Sequence, residues 1–435
     1  MRGTKFLCAL TVLLPVGISA QSQQQKDSIE KARADSIALV QQLTKELGGE
    51  AGADTSSGAA ASAPRATGGY MNIGFVSLLD GGWSTAKDVE NLQPGDHDPR
   101  QNGFTLPNTE LTFDGAVDPY FKGFANIVYK LDKNGETGVE LEEAYFLTTS
   151  LPHNLQLKGG QFVTEFGRQN SQHPHAWSFV DQPLVLNRMF GPDGLRSQGL
   201  RLSYLLPTSF YTEAMVTIGN STGESAWSFR NPESNEIHGG IPEDRQARGL
   251  GDMVIVPRIS SSFDPTDNQT IVLGASGAFG PNSSGTSART EIYGADVYWK
   301  WKPSAAQAGF PFLSMQAEAL TRRYEADQRV SDDGFGSVVL PGQNLRDWGS
   351  YAQFLWGIKP RIVAGLRGDW VRGTDVAVES RRNRFRLSPN FTWYPTEFSK
   401  FRVQYNYDDR KGLEKEHSLW FQLEFLLGAH AAHKF

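Results

Sequence analysis

The sequence predicts an all-β protein, a transmembrane antiparallel β-barrel of about 16 strands with a short N-terminal helix. Three observations lead to this prediction: apolar and polar side chains alternate along many segments, short and long connections alternate between them, and the chain begins with an export signal. Successive side chains of a strand point to opposite faces, so alternation gives each strand one apolar and one polar face. Transmembrane barrels require such strands in even number.

The N-terminus resembles a signal peptide over residues 1–20. Arg2 and Lys5 form its basic region, an apolar run follows, and Ser19 and Ala20 provide small residues at the cleavage position. An uncleaved anchor is the alternative, but the apolar run is shorter than the ~18 residues that a membrane helix needs.

Two further segments precede the barrel. Residues 21–47 carry apolar side chains at helical spacing, which predicts a short periplasmic helix able to form a coiled coil. A solvated, partly helical tail is the alternative. Residues 48–68 consist mainly of Gly, Ala, Ser and Thr, the composition of a flexible linker.

Residues 69–435 form the predicted outer-membrane barrel. The pattern is clearest near the end, where Phe385, Leu387 and Phe391 alternate with Arg384 and Arg386. The predicted strands lie near 70–80, 103–114, 120–131, 138–149, 154–164, 198–206, 209–219, 251–263, 270–280, 288–302, 311–324, 347–358, 361–373, 383–395, 399–409 and 416–428.

The connections between these strands alternate in length. Short turns contain proline, as at 118–119, 206–208 and 359–360, whereas the segments 81–102 and 165–197 are long. Short periplasmic turns and long external loops are typical of outer-membrane barrels. A soluble all-β sandwich, the alternative, has no physical reason to sort its loops by side.

Composition excludes several classes of function. The net charge is −6, from 42 basic and 48 acidic residues, which does not favour nucleic-acid binding. The one cysteine, Cys8, lies in the leader, so the mature chain has no disulfide. We find no Gly-x-Ser-x-Gly, phosphate loop or HExxH motif, and therefore expect neither an enzyme nor a cofactor.

The segment 165–197 is the third long loop by strand count, and it is unusually apolar. A barrel of about 16 strands leaves an aqueous channel, and a loop can narrow it by folding inward. We expect this loop to do so and to bring charged side chains to the constriction. These are Arg168, Asp181, Arg188 and Arg196. A loop packed over the barrel mouth or into a neighbouring subunit is the alternative.

Arginines follow the polar phase of the last strands and form a predicted basic wall. They are Arg361, Arg367, Arg384, Arg386 and Arg402. Rings of basic side chains select anions, and a low-dielectric wall strengthens their field. Pairing with the equally numerous inward acids is the alternative, and it would leave a weakly selective channel.

His173 and His175 are weak candidates for metal ligands. Imidazole is the commonest ligand for zinc-type ions, but a site needs three or four converging ligands. The sequence shows no such spacing around these residues. Polar loop histidines without a metal are the simpler interpretation.

The segments ELTFDGAVDPYFKGFANIVYKL, LEEAYF, LQLKGGQFVTEFGRQN and YPTEFSKFRVQYNYDD resemble those of the phosphate-selective porin O/P family. The resemblance implies a trimeric 16-stranded barrel with a basic eyelet. The lysine ladder of that family is not obvious here. The loop containing HPHAW also resembles proteins described as zinc-regulated outer-membrane receptors.

These observations together predict a passive porin for small hydrophilic solutes, with a weak preference for phosphate-like anions. The expected location is the outer membrane of a Gram-negative-type bacterium, and the expected partners are its lipid, lipopolysaccharide and two further copies in a homotrimer. A zinc-linked receptor or transporter and an envelope-tethering structural barrel are the alternatives.

Overall fold

The computed structural model describes residues 71–132, 134–231, 235–243, 247–332, 336–374 and 382–428. The predicted signal peptide, the helix at 21–47 and the linker at 48–68 lie outside the described residues and stay predictions. Within the described part of the chain, no helix is long and apolar enough to cross a membrane.

The structure contains a closed antiparallel barrel of sixteen strands, as the alternating pattern predicts. The described residues form these sixteen strands and two further short ones, β12 and β13: β1 (Met71–Ser84), β2 (Gly103–Ala116), β3 (Phe121–Leu131), β4 (Thr137–Thr148), β5 (Leu155–Val163), β6 (Arg196–Leu205), β7 (Tyr211–Gly219), β8 (Val254–Thr266), β9 (Gln269–Pro281), β10 (Arg289–Trp301), β11 (Phe312–Ala326), β12 (Arg329–Asp332), β13 (Ser337–Leu340), β14 (Gln343–Lys359), β15 (Ile362–Gly373), β16 (Arg384–Thr396), β17 (Ser399–Arg410) and β18 (Glu416–Gly428).

Each barrel strand pairs with its neighbour in the chain, with one interruption. β12 and β13 form a separate two-stranded hairpin, and β11 pairs directly with β14 across it. β1 pairs with β18 along a continuous register, for example Ser77 with Phe425, and this pairing closes the barrel. Closure leaves the barrel without the exposed edges that would otherwise invite aggregation.

The connections divide the barrel into a short-turn end and a long-loop end. Turns such as 267–268 and 360–361 join strands at one end. At the other end lie the longer segments, which we name L1 (residues 85–102), L3 (residues 164–195) and L4 (residues 220–253). The predicted alternation of connection lengths is therefore present in the fold.

The apolar phase of the strands faces outward. Along β16, Phe385, Phe391 and Trp393 are exposed, whereas Arg384 and Arg386 are buried. A water-soluble sheet places its apolar phase inside, so this arrangement is the inverse of a soluble fold. It matches the apolar outer band of a membrane barrel.

Protein fills much of the barrel interior. Among the described residues of the long loops, three short α-helices occur, namely α1 (Val89–Leu92), α2 (Leu184–Phe190) and α3 (Asn235–His238). Helix α2 of L3 packs against inward residues of the wall in a hydrophobic cluster. Its members are Phe166, Leu184, Val185, Leu186, Met189, Phe190, Leu195, Ala226, Phe229, Val254, Val256, Ala278, Ile292, Leu320, Tyr351 and Val371. The apolar side chains of L3 thus pack inside the barrel.

Candidate functional site

The carboxylate of Asp181, in the middle of L3, is the centre of a buried polar network. Arg367 Nη2 and Arg386 Nη1 donate to its two oxygens at 2.5 and 2.7 Å. Gln404 Nε2 and Asn406 Nδ2 add hydrogen bonds of 2.9 and 2.7 Å. These donors come from β15, β16 and β17, so one loop side chain joins three strands of the wall.

The charge of Asp181 is maintained by its two guanidinium partners. Burial by itself would raise its pKa, but the attraction of Arg367 and Arg386 outweighs burial and lowers the pKa below its ordinary value. The carboxylate is therefore ionised at neutral pH. An ionised carboxylate forms the stronger, charge-assisted hydrogen bonds that fix this part of L3.

Arg386 and the nearby Arg384 also hold L1. The carbonyl oxygen of Leu92 accepts hydrogen bonds from Arg384 Nη2 at 2.6 Å and Arg386 Nη2 at 2.9 Å. The neighbouring Gln93 donates to Asp181 at 3.2 Å. L1 and L3 therefore share one set of wall residues, and both loops fold into the lumen.

The predicted basic wall is paired rather than free. Arg367 contacts Asp369 at 2.8 Å, and Arg384 and Arg386 contact Asp408 at 2.5 and 2.9 Å. Together with Asp181, these acids offset most of the positive charge that the sequence pattern placed on the wall. The alternative of pairing with inward acids describes these arginines better than free basic side chains do.

Arg402 donates to the backbone of L3, whereas Arg361 lies in a turn outside the predicted wall. Arg402 Nη2 donates to the Trp177 carbonyl of L3 at 2.9 Å, and its other nitrogens contact Thr392 and Gln422 at 3.1 and 3.0 Å. Arg361 is exposed in the turn 360–361, because β14 ends at Lys359 and β15 begins at Ile362. The prediction that Arg361 belongs to the basic wall was therefore wrong, because the residue precedes the first residue of β15.

L3 enters the lumen beside β10 and β11. The backbone N–H groups of Arg168 and Gln169 donate to Glu318 Oε1 at 3.0 and 2.6 Å. The Arg168 side chain donates to Gln316 at 3.1 Å and stacks over the Tyr298 ring at 4.0 Å. Arg168 thus fixes the start of the loop on β10 and β11, which β14 separates from the strands of the Asp181 network.

The two remaining predicted arginines of the loop lie on helix α2 and at the start of β6. Arg188 is buried, contacts Asp347 at 3.4 Å and donates to the Arg382 carbonyl at 2.7 Å. Arg196, at the start of β6, contacts Glu140 and lies 3.8 Å from Asp193. Burial and the nearby charge of Asp96 raise the pKa of Asp193 to about 7. The predicted loop residues thus lie along the lumen but in separate clusters.

His173 and His175 bind carboxylates of the wall. The two ring nitrogens of His173 lie 3.0 Å from Glu142 and 3.0 Å from Glu143, and His175 Nδ1 lies 3.1 Å from Glu110. Although burial alone would lower it, the adjacent Glu142 raises the pKa of His173 well above its ordinary value. An imidazolium with both nitrogens donating has no lone pair for a metal. His173 is therefore an anchor of L3 in this structure.

L1 is a second loop that folds inward, and its sequence pattern does not predict this. Residues 85–102 are polar, with the run Asp96-His97-Asp98 before a proline, and resemble an ordinary external loop. Their buried members are held by partners from distant strands, which no local pattern reveals. At the long-loop end, two cavities of about 280 and 380 Å³ both touch Glu90 and Arg100 of L1.

Known proteins are similar to this chain in fold, but no family model assigns it to a family. No family model matches the chain. An uncharacterised protein of Aquifex aeolicus is 29% identical over 359 residues, which cover 77% of this chain and 71% of that protein. That relative carries no functional description.

Solved structures of outer-membrane channels are similar in fold. The channel DcaP of Acinetobacter baumannii has a TM-score of 0.52 at 13% identity, covering 85% of this chain and 100% of that one. An anion-selective porin from Comamonas acidovorans has a TM-score of 0.50 at 7% identity, covering 83% and 100%. The chain therefore has the closed barrel fold that outer-membrane porins share.

Proposed function

We propose that the protein is a passive channel of a Gram-negative-type outer membrane for small hydrophilic solutes, with a lumen narrowed by L3 and L1. The observation that carries the proposal is the anchoring of L3 at separate places along the wall, inside a barrel with an apolar exterior. Asp181 binds Arg367 and Arg386 on one side, and Arg168 meets Glu318 on another. A loop fixed at both sides sets the width of the remaining passage.

Selectivity in this proposal is a weak preference for anions. Basic side chains in a pore attract anions, but a paired guanidinium contributes a smaller field than a free one. Arg367, Arg384 and Arg386 have acidic partners at 2.5–2.8 Å, so their contribution to the passage is small. A phosphate-specific site would need cations without such partners.

Planar-bilayer recording of the detergent-refolded full chain tests the channel. We expect stepwise conductance smaller than that of a porin with an open eyelet. In a potassium chloride gradient, the reversal potential should be shifted slightly from zero toward the equilibrium potential of chloride. Solutes that carry no charge should pass according to size. Absence of conductance from folded, membrane-inserted protein would contradict the proposal.

The proposal includes a homotrimer in contact with lipid and lipopolysaccharide, a cleaved leader at 1–20, a periplasmic helix at 21–47 and a linker at 48–68. Native mass spectrometry of the detergent-extracted protein measures the oligomer and the mature N-terminus together. We expect a mass of three chains that each begin near Gln21. A monomeric mass would contradict the trimer and leave the channel proposal in place.

A further inference from the structure

L1 and L3 meet at a cluster of potential metal ligands away from the Asp181 network. One ligand atom from each of Asp96, His97 and Asp193 lies within 4.8 Å of the other two. The Asp96 N–H also donates to the Pro192 carbonyl at 3.2 Å, so the backbones of the two loops are already in contact here. The cluster therefore joins both inward loops.

The Nδ1 nitrogen of the His97 ring is held by a backbone carbonyl. Its Nδ1 lies 3.2 Å from the carbonyl oxygen of Pro107, which can only accept, so Nδ1 carries the hydrogen. This leaves a lone pair on Nε2, which lies 3.8 Å from Glu142. A hydrogen bond from the distal nitrogen to a carbonyl is the usual support of a metal-binding histidine.

The carboxylate of Asp193 is buried and incompletely compensated. Its side chain is 6% exposed, and its Oδ1 accepts no hydrogen bond among the described residues. The nearest cations, Lys130 Nζ and Arg196 Nη2, are 3.9 and 3.8 Å from its oxygens. A buried carboxylate oxygen without a close donor is costly unless a cation binds it.

The charges around the cluster leave room for a cation. Ion pairs connect four carboxylates to three cationic side chains, so the group carries one net negative charge when Asp193 is ionised. The carboxylates are Glu90, Asp96, Glu140 and Asp193, and the cations are Arg100, Lys130 and Arg196. Lys130 contacts Asp96 and would compete with an incoming ion.

We propose that Asp96, His97 and Asp193 bind one divalent transition-metal ion of the zinc type and thereby link L1 to L3. One imidazole with carboxylates suits zinc, nickel or copper, whereas magnesium and calcium prefer oxygen ligands alone. Three protein ligands leave a coordination position for water or for a passing solute. The ion would tie the two loops at the long-loop end of the lumen.

Isothermal titration of the refolded, chelator-treated full chain with zinc chloride tests the site. We expect binding of one ion per chain and a loss of at least about tenfold in affinity for His97→Gln. Lys130→Met should bind zinc more tightly, because it removes the competing cation from Asp96. His153→Gln, which changes an exposed histidine in a short turn, should bind like the wild type.

Zinc affinity that is the same in His97→Gln and wild type would overturn the proposal, as would magnesium binding of equal strength. If His97→Gln fails to fold, X-ray absorption of the zinc-loaded wild type decides. We expect one imidazole and oxygen ligands at about 2.0–2.2 Å. A shell with no imidazole, or with two or more, would overturn the site. Conductance without metal is measured separately, so the channel proposal can fail or hold independently.

Discussion

At the scale of single residues, Asp181 compensates two buried guanidinium groups that otherwise have little access to water. Arg367 and Arg386 are 1% and 0% exposed, so neither can exchange its partner for solvent. Their remaining acids, Asp369 and Asp408, are shared within the wall itself. On this part of the wall, L3 is therefore held by a single loop carboxylate.

Asp181→Asn should release the middle of L3. The amide keeps the shape but removes the anion that the two buried cations share, and breaking a buried ion pair costs about 3–5 kcal/mol. We expect single-channel conductance to rise and amide hydrogen exchange of L3 around residues 177–184 to accelerate. Asp264→Asn, an exposed aspartate at the short-turn end, is the matched control and should change neither. Unchanged exchange in Asp181→Asn would show that the carboxylate does not anchor the loop.

Gly167 occupies the point where L3 turns into the lumen. Its φ is +63°, and a Cβ there would overlap Glu318 Oε2, the carboxylate that binds the backbone of Arg168 and Gln169. Gly135 has a similar φ of +80°, but a Cβ there meets nothing within 4 Å. Substitution of Gly135 therefore tests backbone strain alone, whereas substitution of Gly167 tests backbone strain together with steric overlap.

Gly167→Ala should destabilise the loop more than Gly135→Ala does. Both variants acquire the left-handed backbone cost, about 1–2 kcal/mol, and Gly167→Ala adds overlap of about 1–3 kcal/mol. The thermal unfolding midpoint in detergent and hydrogen exchange at 165–172 measure the difference. Equal effects of the two substitutions would mean that Glu318 moves aside without cost.

At the scale of elements, the strands follow from local pattern, whereas the loop contacts do not. The alternation of Phe385 and Phe391 with Arg384 and Arg386 specifies β16 within a residue or so, because burial of one face depends on neighbours in sequence. The inward folding of L3 was also predictable, since its apolar side chains require a packed environment. Its partners were not, because Asp181 meets β15 to β17 only after closure.

The burial of L1 could not be predicted from its sequence. Its run Asp96-His97-Asp98 has the polarity of a solvated loop, and no periodicity marks it as buried. What buries it is the Leu92 carbonyl on Arg384 and Arg386, a contact between residues almost 300 positions apart in the chain. Such a contact becomes visible only when the first and last strands are placed side by side.

The attachment of L3 near His173 should weaken as pH rises. The pKa of His173 is raised in the folded state, so its stabilising charge is fully present below its unfolded pKa of about 6.5 and is lost as pH passes the higher folded value. The groups that face the ring are Glu142 and Glu143 of β4, Asn126 of β3, Glu110 of β2 and the stacked His175.

Hydrogen exchange of residues 169–176, corrected for the intrinsic rate at each pH, measures this attachment. We expect protection to be constant from pH 5 to about 6.5 and to fall at alkaline pH as the imidazolium loses its proton. His173→Gln should have low protection at every pH, and His153→Gln, an exposed histidine in a short turn, should behave like the wild type. Protection that increases with pH would show that the ring is neutral in the folded loop.

At the scale of the whole molecule, the barrel and its inward loops form one unit because L3 is fixed at several points around the wall. His173 binds β4, Asp181 binds β15 and β16, and α2 packs against the strands between them. Releasing one attachment leaves the loop confined by the others. The width of the passage should therefore depend on the attachments cooperatively.

A double-mutant cycle of conductance tests this cooperativity. Asp181→Asn removes an attachment of L3 to β15 and β16, and His173→Gln removes its attachment to β4. Each single variant keeps the other attachment, so L3 can leave the passage completely only when both are lost. We expect the double variant to raise conductance by more than the sum of the two single increases, since contacts within one network are not additive. Asp181→Asn combined with His153→Gln provides the control pair and should equal Asp181→Asn alone. Strict additivity in the test pair would mean that L3 responds locally at each attachment, and that the passage is set by the wall rather than by the loop as a whole.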